Sequence, residues 1–319
     1  MRRFRRADDG ALAPQRLRRA SARMQDETTC ALPEDLRMTN DPTALRRRME
    51  ARTPFFVMGT GRCGSTRLFQ LLDRHPQVAL TDEARFVDYV WFLSQYGAQS
   101  NLERRAWDMR PPQELTGLVT EHFTEHAATA VTEHAGLLLG SFYERVAGRA
   151  DFTHWGDKLP DARAARAVQS LYPRTRFVLV IRDPRDNYCS YHRFARKRAI
   201  AAKYPELAEM TAESFALEWR NLNAACAQYL QPLHVLRYEE MVAAPADHLD
   251  AVLAFLDLPS HPAVDARAER PKKYARHGTS ATVAESVGRW RDELTPEDVA
   301  AIEATAGPVM EQFGYEPSA

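Results

Sequence analysis

The 319-residue chain has no long hydrophobic run. Its clearest ones, Phe55–Met58 and Phe177–Ile181, fall far short of the ~20 apolar residues that span a bilayer. Cysteine is scarce. Cys30, Cys63, Cys189 and Cys226 are scattered without a C-x-x-C pair, which argues against a disulfide framework or a thiolate zinc cage. Net charge is absent, because Lys plus Arg and Asp plus Glu each number 43, so nothing in the global balance points to nucleic acid. Lysine itself is rare, five residues against 38 arginines, and each one stands out. The first 25 residues carry eight arginines and no apolar core segment, which argues against a secretory signal. These absences predict a soluble, cytoplasmic chain without a transmembrane segment or nucleic-acid partner.

What is present reads as alternating strands and helices. Residues 1–52 are Arg-rich with almost no apolar periodicity and read as a basic peripheral tail, leaving a folded domain over 53–319. Phe55-Phe56-Val57-Met58 has the continuous apolar character of a buried parallel strand, and Thr66–Leu72 follows at helical spacing. Val78–Leu80 is a candidate second strand, and residues 84–150 read as a helical insertion. Phe177–Ile181 is the strongest strand, with a helix starting near Pro184, and His234–Tyr238 reads as another. Thr295-Pro296-Glu297-Asp298 carries an N-cap and first-turn acids, predicting a last helix to about Phe313.

Between the first strand and its helix lies Gly59-Thr60-Gly61-Arg62-Cys63-Gly64-Ser65-Thr66, with the outline G-x-x-x-x-G-x-T. Backbone N–H groups of such a turn, with the helix N-terminus behind them, form an anion cradle. An ATP-binding loop has Lys after its second glycine, where this chain has Ser65, and the positive charge sits at Arg62 instead. The expected architecture is α/β: a three-layer P-loop nucleotide-binding fold, with a parallel central sheet flanked by helices and a helical insertion. A second basic cluster, Arg182-Asp183-Pro184-Arg185-Asp186-Asn187-Tyr188-Cys189-Ser190, begins where the strongest strand ends. Ligands of open α/β sheets bind at such strand ends, and Arg182 with Ser190 would suit a dianion. Two anion sites after two strands suit a nucleotide with phosphates at both ends of its ribose.

The loop Gly59–Leu68 resembles the 5′-phosphosulfate loop of sulfotransferases that use 3′-phosphoadenosine 5′-phosphosulfate (PAPS), and Arg182–Ser190 resembles their 3′-phosphate motif. The similarity runs from about Pro54 to Pro317. Asp73-Arg74-His75-Pro76, Asp82-Glu83-Ala84-Arg85, Val287-Gly288-Arg289-Trp290 and Gln312–Pro317 look closest to protein-tyrosine sulfotransferases and their bacterial relatives. The resemblance implies that Arg62, Cys63, Gly64, Ser65 and Thr66 bind the 5′-phosphosulfate, and that Arg182 and Ser190 bind the 3′-phosphate. It implies that Tyr238 lies along the nucleotide and that Arg289 closes over it. Glu83 then matches the catalytic glutamate, Arg85 an arginine two residues on, and Lys158 a lysine near the bridging oxygen. Cys63 and Ser65 depart from the usual serine and threonine, and Phe194 occupies a position where a basic residue is expected, with Arg193 as its candidate substitute.

The expected reaction is in-line transfer of a sulfuryl group from PAPS, as co-substrate, to an acceptor hydroxyl or amine, with Glu83 as general base and no metal. Residues 84–150 would shape the acceptor side. The acceptor class (small molecule, carbohydrate, lipid or peptide tyrosine) and the oligomeric state are not legible. Three other readings compete. A binding-only module that kept the nucleotide fold and lost its chemistry is disfavoured by the presence of both Glu83 and Lys158; the remaining two are catalytic. One is a P-loop nucleotide kinase or other phosphotransferase, which the missing loop lysine disfavours. The other is a zinc peptidase built on His122-Phe123-Thr124-Glu125-His126, whose histidines share a helix face but lack a third ligand.

Overall fold

The computed structural model describes residues 42–84, 86–88, 128–149, 151–159, 161–267, 278–280 and 282–318. Its sheet is built from β1 (Thr53–Met58), β2 (Val78–Asp82), β3 (His154–Lys158), β4 (Arg176–Ile181) and β5 (Leu233–Arg237). The order is β2-β3-β1-β4-β5, and every pairing is parallel. In register, Val57 faces Lys158, Asp82 faces Lys158, and Ile181 faces Arg237. The carboxyl ends of all five strands therefore line one edge of the sheet.

Alternation along the strands divides the core in two. Phe56 and Met58 of β1 join Phe177, Leu179 and Ile181 of β4 in one apolar cluster. Phe55 and Val57 join Val178 and Val180 in the other. Helices α1 (Pro42–Ala51), α3 (Ala128–Ala147), α4 (Ala162–Leu171), α6 (Ala212–Tyr229) and α9 (Pro296–Gln312) contribute to the first face. Helices α2 (Ser65–Leu72), α7 (Tyr238–Ala243) and α8 (Pro245–Phe255) cover the second. Helix, sheet and helix make the three layers expected from the period-2 burial of a parallel sheet.

Capping signals are realised where the sequence placed them. The Asp183 carboxylate accepts from Arg185 N at 2.9 Å at the start of α5 (Pro184–Ala195), with Pro184 in its first turn. Thr295 Oγ1 accepts from Asp298 N at 3.2 Å ahead of α9.

Three expectations change. Residues 42–52 are not peripheral: α1 packs its Met49 into the core, and Arg48 and Arg52 each lie 2.8 Å from Glu144 of α3. The described residues all belong to the compact unit over 41–319. The fully buried strand β3 was not anticipated at all; its Gly156 runs so close to β1 that a Cβ would fall 1.6 Å from the Phe55 carbonyl oxygen. Tyr238 does not end a strand but opens α7 directly after β5. Of the 84–150 insertion, α3 is helical as expected, and residues 89–127 lie outside the described residues.

Candidate active site

The loop after β1 meets the loop after β4, its neighbour in the sheet, at the point where chain connections diverge to either side. Gly64 caps α2 with φ +106°, and an added Cβ would lie 2.6 Å from the Tyr238 ring, so both the turn and the packing require glycine. No side chain caps α2, and its first turn holds no acid, which leaves the positive end of the helix turned to the loop. Arg62 also adopts a positive φ, 74°, and its guanidinium lies 4.6 Å over the Phe194 ring. Asn187 of α5 donates to Thr60 Oγ1 at 2.8 Å and ties the loop to the second cluster.

A cavity of about 330 Å³ opens between the two loops, lined by Arg62, Ser65, Thr66, Arg182, Ser190 and Tyr238, among others. Arg182 is 2% exposed, stacks 4.4 Å over the Tyr238 ring and donates to the Ser286 carbonyl. Tyr238 Oη lies 2.8 Å from Ser286 Oγ. Arg289 is also buried and donates to Ser280 Oγ at 2.8 Å. Among the described residues, Nε of Arg182 and both Nε and Nη2 of Arg289 have no hydrogen-bond partner. Burial, then the nearby Arg182 charge, lowers the Arg289 pKa from its ordinary value. Buried cations with unused donors fit a polyanionic ligand.

The segment that carries Arg289 is fixed by a residue of the second basic cluster. Asp186 accepts from Gly288 N at 2.6 Å and Trp290 N at 2.9 Å. Arg185 bridges Asp183 and Glu303 and lies 4.0 Å over Trp290. Arg193 is half-exposed and paired with Glu293.

On the other side of the loop a cavity of about 380 Å³ shares Arg62, Ser65 and Thr66 with the first and adds Asp82, Glu83 and Lys158. Lys158 ends β3, and its Nζ donates to Glu83 Oε1 at 2.5 Å and Thr66 Oγ1 at 3.2 Å, with Asp82 Oδ1 at 3.1 Å. Burial is the largest influence on Lys158 and favours the neutral amine. The bond and charge of Glu83, joined by Asp82, outweigh it and raise the pKa, keeping an ammonium there. Glu83 is itself strained, at φ +54°, with its side chain more than half exposed.

The structure thus gathers Arg62, Gly64, Ser65, Thr66, Arg182, Ser190 and Tyr238 at the first cavity, with Arg289 bonded to Ser280 of its wall, and Glu83 with Lys158 at the second. Cys63 departs from expectation: its thiol is fully buried in the core, lines neither cavity, and burial pushes its pKa up. Arg85 and the His122, Glu125 and His126 triplet lie outside the described residues. Asp82 was missed, although it adjoins Glu83 at the end of a strand.

A model of the sulfotransferase family matches residues 54–262. The chain belongs to that family. Its reaction is therefore sulfuryl transfer, and the kinase and peptidase alternatives are not favoured. Among curated proteins, the sulfotransferase is 22% identical over 299 residues to protein-tyrosine sulfotransferase 1 of Danio rerio, covering 86% of this chain and 78% of that protein. Protein-tyrosine sulfotransferase A of Caenorhabditis elegans is 21% identical over 286 residues, covering 84% and 68%. Among solved structures, the sulfotransferase domain of the Synechococcus PCC 7002 olefin synthase matches with TM-score 0.53 and 19% identity, covering 83% of this chain and 95% of that one. The sulfotransferase domain of the curacin biosynthetic pathway gives TM-score 0.54 and 17% identity, covering 84% and 100%. These last two share the fold.

Proposed function

We propose that this sulfotransferase takes PAPS as its donor, gripped at both ends by the two strand-tip clusters, and passes the sulfuryl group to an acceptor hydroxyl or amine. The observation that carries this reading is one cavity bordered by Arg62, Arg182 and Ser190, with Arg289 buried beside it and nitrogens of Arg182 and Arg289 without hydrogen-bond partners among the described residues. Arg182, Ser190 and Arg289 would hold the 3′-phosphate, while Arg62 and the amides of Gly64, Ser65 and Thr66 would hold the 5′ end. Tyr238, stacked on Arg182, would flank the nucleotide.

Bound PAPS supplies a sulfuryl group on a phosphate oxygen that can leave as an anion. Lys158, already an ammonium between loop and base, neutralises charge at that oxygen through Nζ. Glu83 removes the acceptor proton at its carboxylate, and its exposure leaves the acceptor a path to it. Arg62, Ser65 and Thr66 border both cavities, so the group to be moved is held between donor and acceptor sides. The curated relatives are named for protein tyrosine, which makes a phenol the first acceptor to try.

No helix among the described residues is long and apolar enough to cross a membrane. Cys63, Cys189 and Cys226 are free and buried, in keeping with a reducing compartment such as the cytoplasm. The test is incubation with PAPS labelled in its sulfuryl group and a panel of phenols, tyrosine peptides, sugars and amines. Label appearing in one of them supports the reading; ATP-dependent phosphorylation instead would replace it.

A further inference from the structure

Two carboxylates meet the Lys158 ammonium, and the proposed chemistry uses one. Asp82 ends β2 directly opposite Lys158, the last residue of β3, and its Oδ1 lies 3.1 Å from Nζ. Paired positions of neighbouring strands share a face of the sheet, so the register itself sets this contact. Glu83 Oε1 at 2.5 Å and Thr66 Oγ1 at 3.2 Å complete a set of three oxygens around Nζ. An ammonium has three N–H donors, and the three oxygens match them. The two acids differ in setting. Asp82 belongs to the sheet, with its side chain 27% exposed, whereas Glu83 lies beyond the strand at φ +54° and is more than half exposed.

At rest Glu83 alone offsets the Lys158 charge. A second carboxylate has a cost, because Asp82 lines the same cavity as Arg62, Ser65 and Thr66 and repels an anion held there. Its use lies in what happens to Glu83. When the acceptor O–H bond breaks, the proton passes to the Glu83 carboxylate, which becomes neutral and loosens its hold on Lys158. Burial then favours the neutral amine, at the moment when charge on the leaving oxygen calls for an ammonium. We propose that Asp82 is a positioning residue that holds the Lys158 ammonium on the glycine loop while Glu83 carries the acceptor proton. One N–H of Lys158 is thereby freed for the leaving oxygen, and Asp82 with Thr66 keeps the other two. This inference rests on Glu83 being the base, and the experiment separates the two.

Glu83→Gln is a neutral stand-in for the protonated base, so it tests the inference without donor or turnover. With lysine labelled by carbon-13 at Cε, the chain gives five lysine signals, and Lys158→Arg identifies the one of interest. Its titration midpoint should fall by at least about one pH unit between Glu83→Gln and the double variant that adds Asp82→Asn, as for loss of an opposite charge at close range. Arg62 and Cys63 of the glycine loop, and Asp157 on the opposite face of β3, are the same in both proteins. A midpoint that does not move overturns the inference. Turnover of labelled PAPS gives a second reading. On charge alone, removing a carboxylate beside developing negative charge should raise kcat. Acting through Lys158, Asp82→Asn should instead lower kcat about tenfold or more, with circular dichroism unchanged and affinity for 3′-phosphoadenosine 5′-phosphate not weakened. A kcat held or raised in Asp82→Asn also overturns the inference. A kcat kept by Glu83→Gln overturns the base itself, whatever the midpoint shows.

Discussion

Lys158 Nζ and Glu83 Oε1 meet at 2.5 Å, although 75 residues separate them in the chain. One ends β3 and the other follows β2, and the parallel register of those strands brings them together. The same ammonium reaches Thr66 on the glycine loop, so the proposed base and the proposed anion cradle are joined by one cationic side chain.

Removing either partner should therefore act on chemistry more than on donor binding. Glu83→Gln is expected to lower kcat by ~10²–10⁴-fold, as for loss of a general base. Lys158→Ala is expected to cost ~10²–10³-fold, as for loss of a preorganised charge donor. Steady-state rates alongside donor titrations check both. A weakened donor with kcat intact would move these residues out of the chemical step.

Arg182→Ala and Arg289→Ala should behave in the opposite way. One removes a buried charged donor that lines the first cavity and the other a buried one beside it, an interaction worth roughly 1.5–3 kcal/mol, or about 10–100-fold in donor Kd. Isothermal titration with 3′-phosphoadenosine 5′-phosphate measures it. Asp186→Ala should weaken the donor as well, without touching it, because Gly288 and Trp290 lose the acceptor that sets Arg289.

Gly64→Ala should damage the anion cradle while the fold survives. A Cβ at φ +106° is strained, at about 1–3 kcal/mol, and would meet the Tyr238 ring at 2.6 Å. A Kd raised about tenfold with circular dichroism unchanged is the expected result.

Burial pushes the Asp157 carboxyl up from 3.8 to about 7. A carboxyl whose native pKa is raised contributes its full stability below its unfolded pKa near 4 and loses it as pH rises through about 7. Stability should therefore fall across pH 4–7 more steeply in the parent than in Asp157→Asn, which lacks that proton. Urea melts at pH 4, 5.5 and 7 give the comparison, and parallel slopes would contradict the assignment. Glu239 and Asp186, also raised by burial, titrate in the same direction in both proteins and cancel in the difference.

Much of the site was legible because its backbone geometry is written locally. Phe55–Met58 and Phe177–Ile181 announce buried strands by continuous apolar character, and glycine spacing with Arg62 announces an anion loop. Strand β3 was not legible. His-Trp-Gly-Asp-Lys carries one large apolar residue, yet all five residues are buried between β1 and β2. Its polar members find their reasons elsewhere: His154 bonds to the Leu256 carbonyl at 2.8 Å, and Lys158 serves the site. Helix α1 was hidden by its arginine run, whose partner Glu144 lies over 90 residues downstream. Cys63 sits in a loop whose neighbouring residues line the two cavities, and only the path of the turn reveals that its thiol points into the core.

The central claim is that neighbouring strand tips hold the two ends of one adenylate. Calorimetry comparing 3′-phosphoadenosine 5′-phosphate with adenosine 5′-phosphate tests it most directly. The account predicts that the bisphosphate binds at least about tenfold tighter and that Arg182→Ala erases this advantage. Equal affinity for the two nucleotides in the parent protein, or no binding of either, would contradict it.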